Sequence, residues 1–158
     1  MKKSILYLQT LVLLGGSIFA WFTVFGDFER FLGAGYPITQ FSGCSVPNPL
    51  ATPCFYGAIV FLITLGWSVS ILLASNGYQK KIKNQKGLNY LLIAGTLFAW
   101  GNFGYQLYLF YKPGAGEYIG CSGVAASHPI HTPCFYGAVF YLTALIISII
   151  IIKTHKKI

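Results

Sequence analysis

The sequence predicts an all-α integral membrane protein, a four-transmembrane-helix bundle made of two tandem helical-hairpin repeats. Three observations predict it: an apolar composition, the placement of the lysines and an internal repeat. Of 158 residues, 55% are hydrophobic and 9% charged, and the mean hydropathy is +0.63. A soluble domain of this length has too little interior to hide so much apolar surface.

Crossing about 30 Å of hydrocarbon takes roughly 20 apolar residues as a helix. Four stretches reach that length, at about 5–25, 54–75, 88–111 and 134–152. The first has a competing reading, because Lys2 and Lys3 lead an apolar run that ends in small residues by Ala20, as in a cleaved signal peptide. The repeat argues for a retained span. Gly16-Ser17-Ile18-Phe19-Ala20-Trp21 reappears in the third stretch as Gly95-Thr96-Leu97-Phe98-Ala99-Trp100.

The net charge of +8 would suit nucleic acid, but the positions of the bases exclude that class. Lys2 and Lys3 precede the first span, Lys80, Lys81, Lys83 and Lys86 fill the 76–87 linker, and Lys153, Lys156 and Lys157 follow the fourth. The positive-inside rule then puts both termini and the linker in the cytoplasm of a multi-pass cell-membrane protein. Only Arg30 and Lys112 remain for the outer, extracytoplasmic loops.

The repeat extends through those loops. Gly43-Cys44-Ser45 matches Gly120-Cys121-Ser122, and Thr52-Pro53-Cys54-Phe55-Tyr56-Gly57-Ala58 is identical to Thr132-Pro133-Cys134-Phe135-Tyr136-Gly137-Ala138. Repeat one covers about 5–75 and repeat two about 88–152, within a single membrane domain, 1–158. An even number of spans per copy keeps both copies in one orientation, about a pseudo-twofold along the membrane normal.

Thr as N-cap and Pro as first helical residue suit a helix start. Cys54 and Cys134 then fall in the first turn, facing free backbone N–H groups and the positive end of the helix dipole, a setting that stabilises a thiolate. It suits a reactive sulfur and a structural disulfide equally. In an oxidising compartment the matched positions suggest Cys44–Cys54 and Cys121–Cys134, among three connectivities that four cysteines allow. As staples, bridges over such short loops stabilise by about 2–3 kcal/mol.

The identity continues past the sulfurs, which a staple does not require. Phe55, Tyr56, Phe135 and Tyr136 are candidates for a slot binding a flat apolar molecule such as a quinone, or members of an interfacial aromatic belt. The glycines at 15, 16, 57 and 137 suit close helix packing. His128 and His131 replace Asn48 and Ala51 of the first copy, so they are loop histidines or the source of an inequality between the cysteine pairs. With Cys121 and Cys134 they also supply two nitrogen and two sulfur ligands, a zinc set in number but not in familiar spacing, and no metal is expected. Asp27, Glu29 and Arg30 fall where the first helix leaves the hydrocarbon, as interface anchors or a local ion pair, with a proton-relay role as the minor reading. No phosphate loop, nucleophile elbow or paired carboxylates at helical spacing occur.

Four spans, cytoplasmic termini, cysteine pairs in two outer loops and a Pro-Cys at each returning helix together resemble the superfamily of vitamin K epoxide reductases and DsbB-type disulfide-formation proteins. The run Cys121-Ser122-Gly123-Val124-Ala125-Ala126-Ser127, a cysteine with Val three and Ser six positions on, resembles the loop of the reductase branch. The resemblance implies a membrane thiol–disulfide oxidoreductase. Electrons from an extracytoplasmic thiol protein would pass through Cys44, Cys54, Cys121 and Cys134 to a membrane quinone. Both branches carry a CxxC and this chain has none. That favours the alternative, a non-enzymatic, disulfide-stapled interaction or assembly module, with a homo-oligomer as one form.

Overall fold

A computed structural model describes residues 3–42, 46–74, 78–112 and 127–155. Among them the chain is all-helical: α1 (Lys3–Gly33), α2 (Pro53–Leu73), α3 (Tyr78–Tyr111) and α4 (Pro133–His155), with short 3-10 turns at Pro49–Ala51 and Pro129–His131. Of these, α1, α2 and α4 are long and apolar enough to cross a membrane. The 34-residue α3 has the length, but Asn89, Asn102, Gln106 and its glycines and tyrosines dilute its apolar run.

Two boundaries differ from the sequence reading. α1 continues to Gly33, so Asp27, Glu29 and Arg30 are helical, and its end is marked by Gly35 at φ +81, a conformation that glycine adopts without strain. α3 begins at Tyr78 rather than 88, so most of the lysine-bearing linker is helix. Lysine and glutamine are good helix formers, and a charged surface turn has no reason to interrupt them.

α1 packs on α2 and α4, and α3 packs on the same two helices. Among the described residues the backbones of α1 and α3 do not approach each other closely, so the two helices lie on opposite corners of the bundle and meet only through long side chains such as Gln9 and Gln85. The core joins Leu13, Phe61, Ile71, Leu88, Leu92 and Tyr141. Buried positions correspond between the two halves of the sequence: Leu13 with Leu92, Val24 with Phe103, Ala58 with Ala138, Phe61 with Tyr141 and Ile71 with Ile151. Outward-facing Leu11, Phe22, Leu73 and Leu97 leave an apolar exterior compatible with lipid contact.

The repeated glycine of the first and third helices has a direct structural use. A Cβ on Gly16 would lie 2.5 Å from Phe61 Cε1, and one on Gly95 would lie 2.6 Å from Tyr141 Cε1. These gaps admit the two rings, which stack across the bundle at 3.9 Å and 25°.

Away from the loops, the buried amide of Gln85 ties three helices together. Its Nε2 donates to Gln9 Oε1 and to Ser148 Oγ, each at 3.0 Å. Replacing Gln85 with Leu leaves both acceptors buried without that donor, and costs about 1–3 kcal/mol. Unfolding titrations in mild detergent check this; an unchanged midpoint would show that the cluster contributes nothing.

Candidate functional site

The mouths of α2 and α4 are built alike. Thr52 Oγ1 accepts from Phe55 N at 3.4 Å, with Pro53 as the first helical residue. The expected cap is therefore present at α2. At α4, Thr132 is buried and its backbone oxygen accepts from Phe135 N at 3.1 Å. Upstream, Asn48 Oδ1 accepts from Leu50 N at 2.9 Å, and its Nδ2 donates to Ile38 O and Gln40 O at 2.7 and 2.9 Å. His128 occupies the matching place and does the matching work, with Nδ1 accepting from Ile130 N at 3.2 Å and its ring 5.0 Å from Phe110. In that role the ring nitrogen serves as an acceptor, as the Asn48 amide oxygen does before α2. His131 is exposed. Among the described residues no group of three metal-ligating side chains occurs.

The arrangement brings the two helix-mouth cysteines together. Cys54 Sγ and Cys134 Sγ lie 4.0 Å apart, although 80 residues separate them. That is a non-bonded contact, about twice the S–S bond length of ~2.05 Å. Cys44 and Cys121, and with them the two proposed bridges, lie outside the described residues.

Both sulfurs border an open-sided apolar cavity with about 60 Å³ of room for water-sized groups. Its lining falls into pairs from corresponding places in the two sequence halves: Phe19 and Phe98, Ala20 and Ala99, Thr23 and Asn102, Cys54 and Cys134, Gly57 and Gly137, Phe61 and Tyr141. A Cβ added to Gly57 or Gly137 meets nothing within 4 Å. The expectation that these two glycines serve close packing is corrected: they leave room beside the sulfurs, while Gly16 takes the packing role. Tyr141 crosses the cavity and donates its hydroxyl to Gly57 O at 2.9 Å.

The four aromatic candidates do not line this cavity. Phe55 packs edge-on against Trp21 and Phe28, and Phe135 packs edge-on against Trp100 and at a tilt against Phe103. Tyr56 and Tyr136 point outward, 52% and 45% exposed. The aromatic walls are Phe19, Phe98, Phe61 and Tyr141 instead. Their signal was helical spacing: position 61 follows Cys54, and 141 follows Cys134, by seven residues, two turns along one face.

Asp27 is also differently placed from an interface anchor. It is 3% exposed and pairs with Arg30, which is 43% exposed. The local ion pair expected from the sequence is thus present, but with its carboxylate inside the bundle. Compared with protein-family models, with curated proteins and with solved structures, the chain shows no match.

Proposed function

We propose that the chain is a membrane thiol–disulfide oxidoreductase that passes electrons from extracytoplasmic thiols through its cysteines to a membrane quinone. The observation that carries this reading is the 4.0 Å contact between Cys54 and Cys134 at an apolar cavity. Two staples would hold their loops as well with the sulfurs far apart. In this reading α3 is a fourth span and the hairpins α1–α2 and α3–α4 are tandem repeats, which the paired burial and paired cavity lining support. Both termini and the lysine-bearing start of α3 face the cytoplasm, and the cysteine loops face outward.

The exchange uses Cys44 and Cys121 as loop partners. A Cys54 thiolate attacks Cys134 Sγ of a Cys121–Cys134 disulfide; the Cys54–Cys134 bond forms as Cys121 leaves as a thiolate. Cys44 thiolate then attacks Cys54, closing Cys44–Cys54 and releasing Cys134. Two protons leave the first pair and two reach the second. A quinone, when bound, would take up the two electrons and two protons that the second pair gives up as its disulfide re-forms. The lining is apolar, as such a group requires: a ring would approach from the open side against Phe19 and Phe98, with the stacked Phe61 and Tyr141 behind, and Gly57 and Gly137 leave space next to the sulfurs.

Equilibrating purified protein with defined thiol buffers and trapping free thiols for mass spectrometry tests the proposal. At least one pair is expected to titrate above about −300 mV. If both pairs stay oxidised throughout, the cysteines are staples, and the non-enzymatic assembly module takes the place of the oxidoreductase.

A further inference from the structure

We infer that Asp27 is the proton acceptor for Cys54, and that this makes Cys54 rather than Cys134 the attacking sulfur. The inference rests on the relay proposed above and adds to it the physical cause of its direction.

Placement comes first. Thr23 lines the cavity with Cys54, and Asp27 follows it by one helical turn on the same face of α1. The next residue, Phe28, packs on Phe55, the neighbour of Cys54. Asp27 therefore stands at the height of the α2 mouth, on the face of α1 that carries Thr23 to the cavity.

Burial and bonding follow. Oδ1 of Asp27 takes the Arg30 guanidinium, while Oδ2 is buried with no hydrogen-bond partner. A buried, unpartnered carboxylate oxygen is costly to keep for structure alone. One guanidinium balances one negative charge, and that charge can reside on Asp27 or on Cys54. Moving the Cys54 proton to Oδ2 changes the site's net charge by nothing. The exchange then starts without placing an extra charge in an apolar space.

The second half lacks this device. The place one turn beyond Asn102, corresponding to Asp27, is Gln106, and Leu109 corresponds to Arg30. An amide accepts no proton from a thiol, so α3 offers no carboxylate at the corresponding place. Two cysteines with identical local sequence are thus made chemically unequal by α1 and α3.

The test uses full-length protein in which Cys44, Cys121 and Cys134 are replaced by Ser, and reads the rate of Cys54 alkylation by uncharged iodoacetamide. Asp27→Asn is expected to slow alkylation by about tenfold or more, and Asp27→Glu to restore part of the rate. Loss of negative charge beside Cys54, with Arg30 kept, would by itself favour the thiolate and speed alkylation. An unchanged or faster rate in Asp27→Asn therefore overturns the inference, and leaves the relay standing. Should Asp27→Asn fail to fold, Gln106→Asp in a protein retaining only Cys134 decides: faster Cys134 alkylation supports the inference, and no change or slowing overturns it. The relay itself fails on a different result, quinone reduction that survives Cys54→Ser.

Discussion

Replacing Cys54 or Cys134 with serine is expected to lower quinone reduction by a reduced thiol partner on the order of a thousandfold, and replacing both to lower it no further. Residues that act as one unit lose their function together, so the two effects are not additive. The reason is geometric: the sulfurs meet at 4.0 Å, and each is useless to the exchange without the other. The same contact makes a second outcome specific. With Cys44 and Cys121 both changed to serine, mild oxidation should produce an intramolecular Cys54–Cys134 disulfide, detected by mass spectrometry of the monomer. Closing the gap to bonding distance needs about 2 Å of movement from two first-turn residues. Failure to form this bond would show that the sulfurs do not meet in solution, and the relay would lose its central step.

The glycines should divide into two groups with opposite consequences. Gly16→Ala and Gly95→Ala push a methyl group to 2.5 and 2.6 Å from the Phe61 and Tyr141 rings. Those rings are buried and stacked on each other, so neither can yield freely. Each substitution is expected to destabilise by about 1–3 kcal/mol, and the pair by more than either alone. Gly57→Ala and Gly137→Ala meet no atom within 4 Å and should change stability by less than about 0.5 kcal/mol. Their effect should fall on the ligand instead, raising the quinone KM by narrowing the cavity. Unfolding in mild detergent and steady-state kinetics separate the two groups. Equal loss of stability at all four positions would show that Gly57 and Gly137 are packing residues after all.

Much of the helix layout was legible in the sequence, because hydropathy and capping chemistry are local. Three of the four stretches read as spans are helices long and apolar enough to cross a membrane, and Thr52-Pro53 starts α2 as expected. Boundaries were less legible where charged residues continue a helix past the apolar run, at 26–33 and 78–87. Helical propensity does not distinguish a lysine within a helix from one in a turn.

The site was legible in its sulfurs and not in its walls. The repeated heptad pointed to Cys54 and Cys134, yet it pointed equally to Phe55, Tyr56, Phe135 and Tyr136, which face Trp21, Trp100 or the exterior. Which face of a helix turns inward depends on its neighbours, and those come from distant parts of the chain. His128 shows the same limit. As a loop histidine it suggested charge or metal, and in the fold it replaces Asn48 as a cap.

By itself, then, the sequence determined an apolar helical chain with two matched segments, each placing a cysteine at a helix mouth, because composition, periodicity and caps act within a few residues. Only the tertiary structure decided that the two sulfurs touch, that Gly16 and Gly95 admit rings while Gly57 and Gly137 leave space, and that Asp27 is buried inside the bundle. Those are properties of how α1 and α3 pack against α2 and α4, and contacts between helices are set by the shapes of both partners at once.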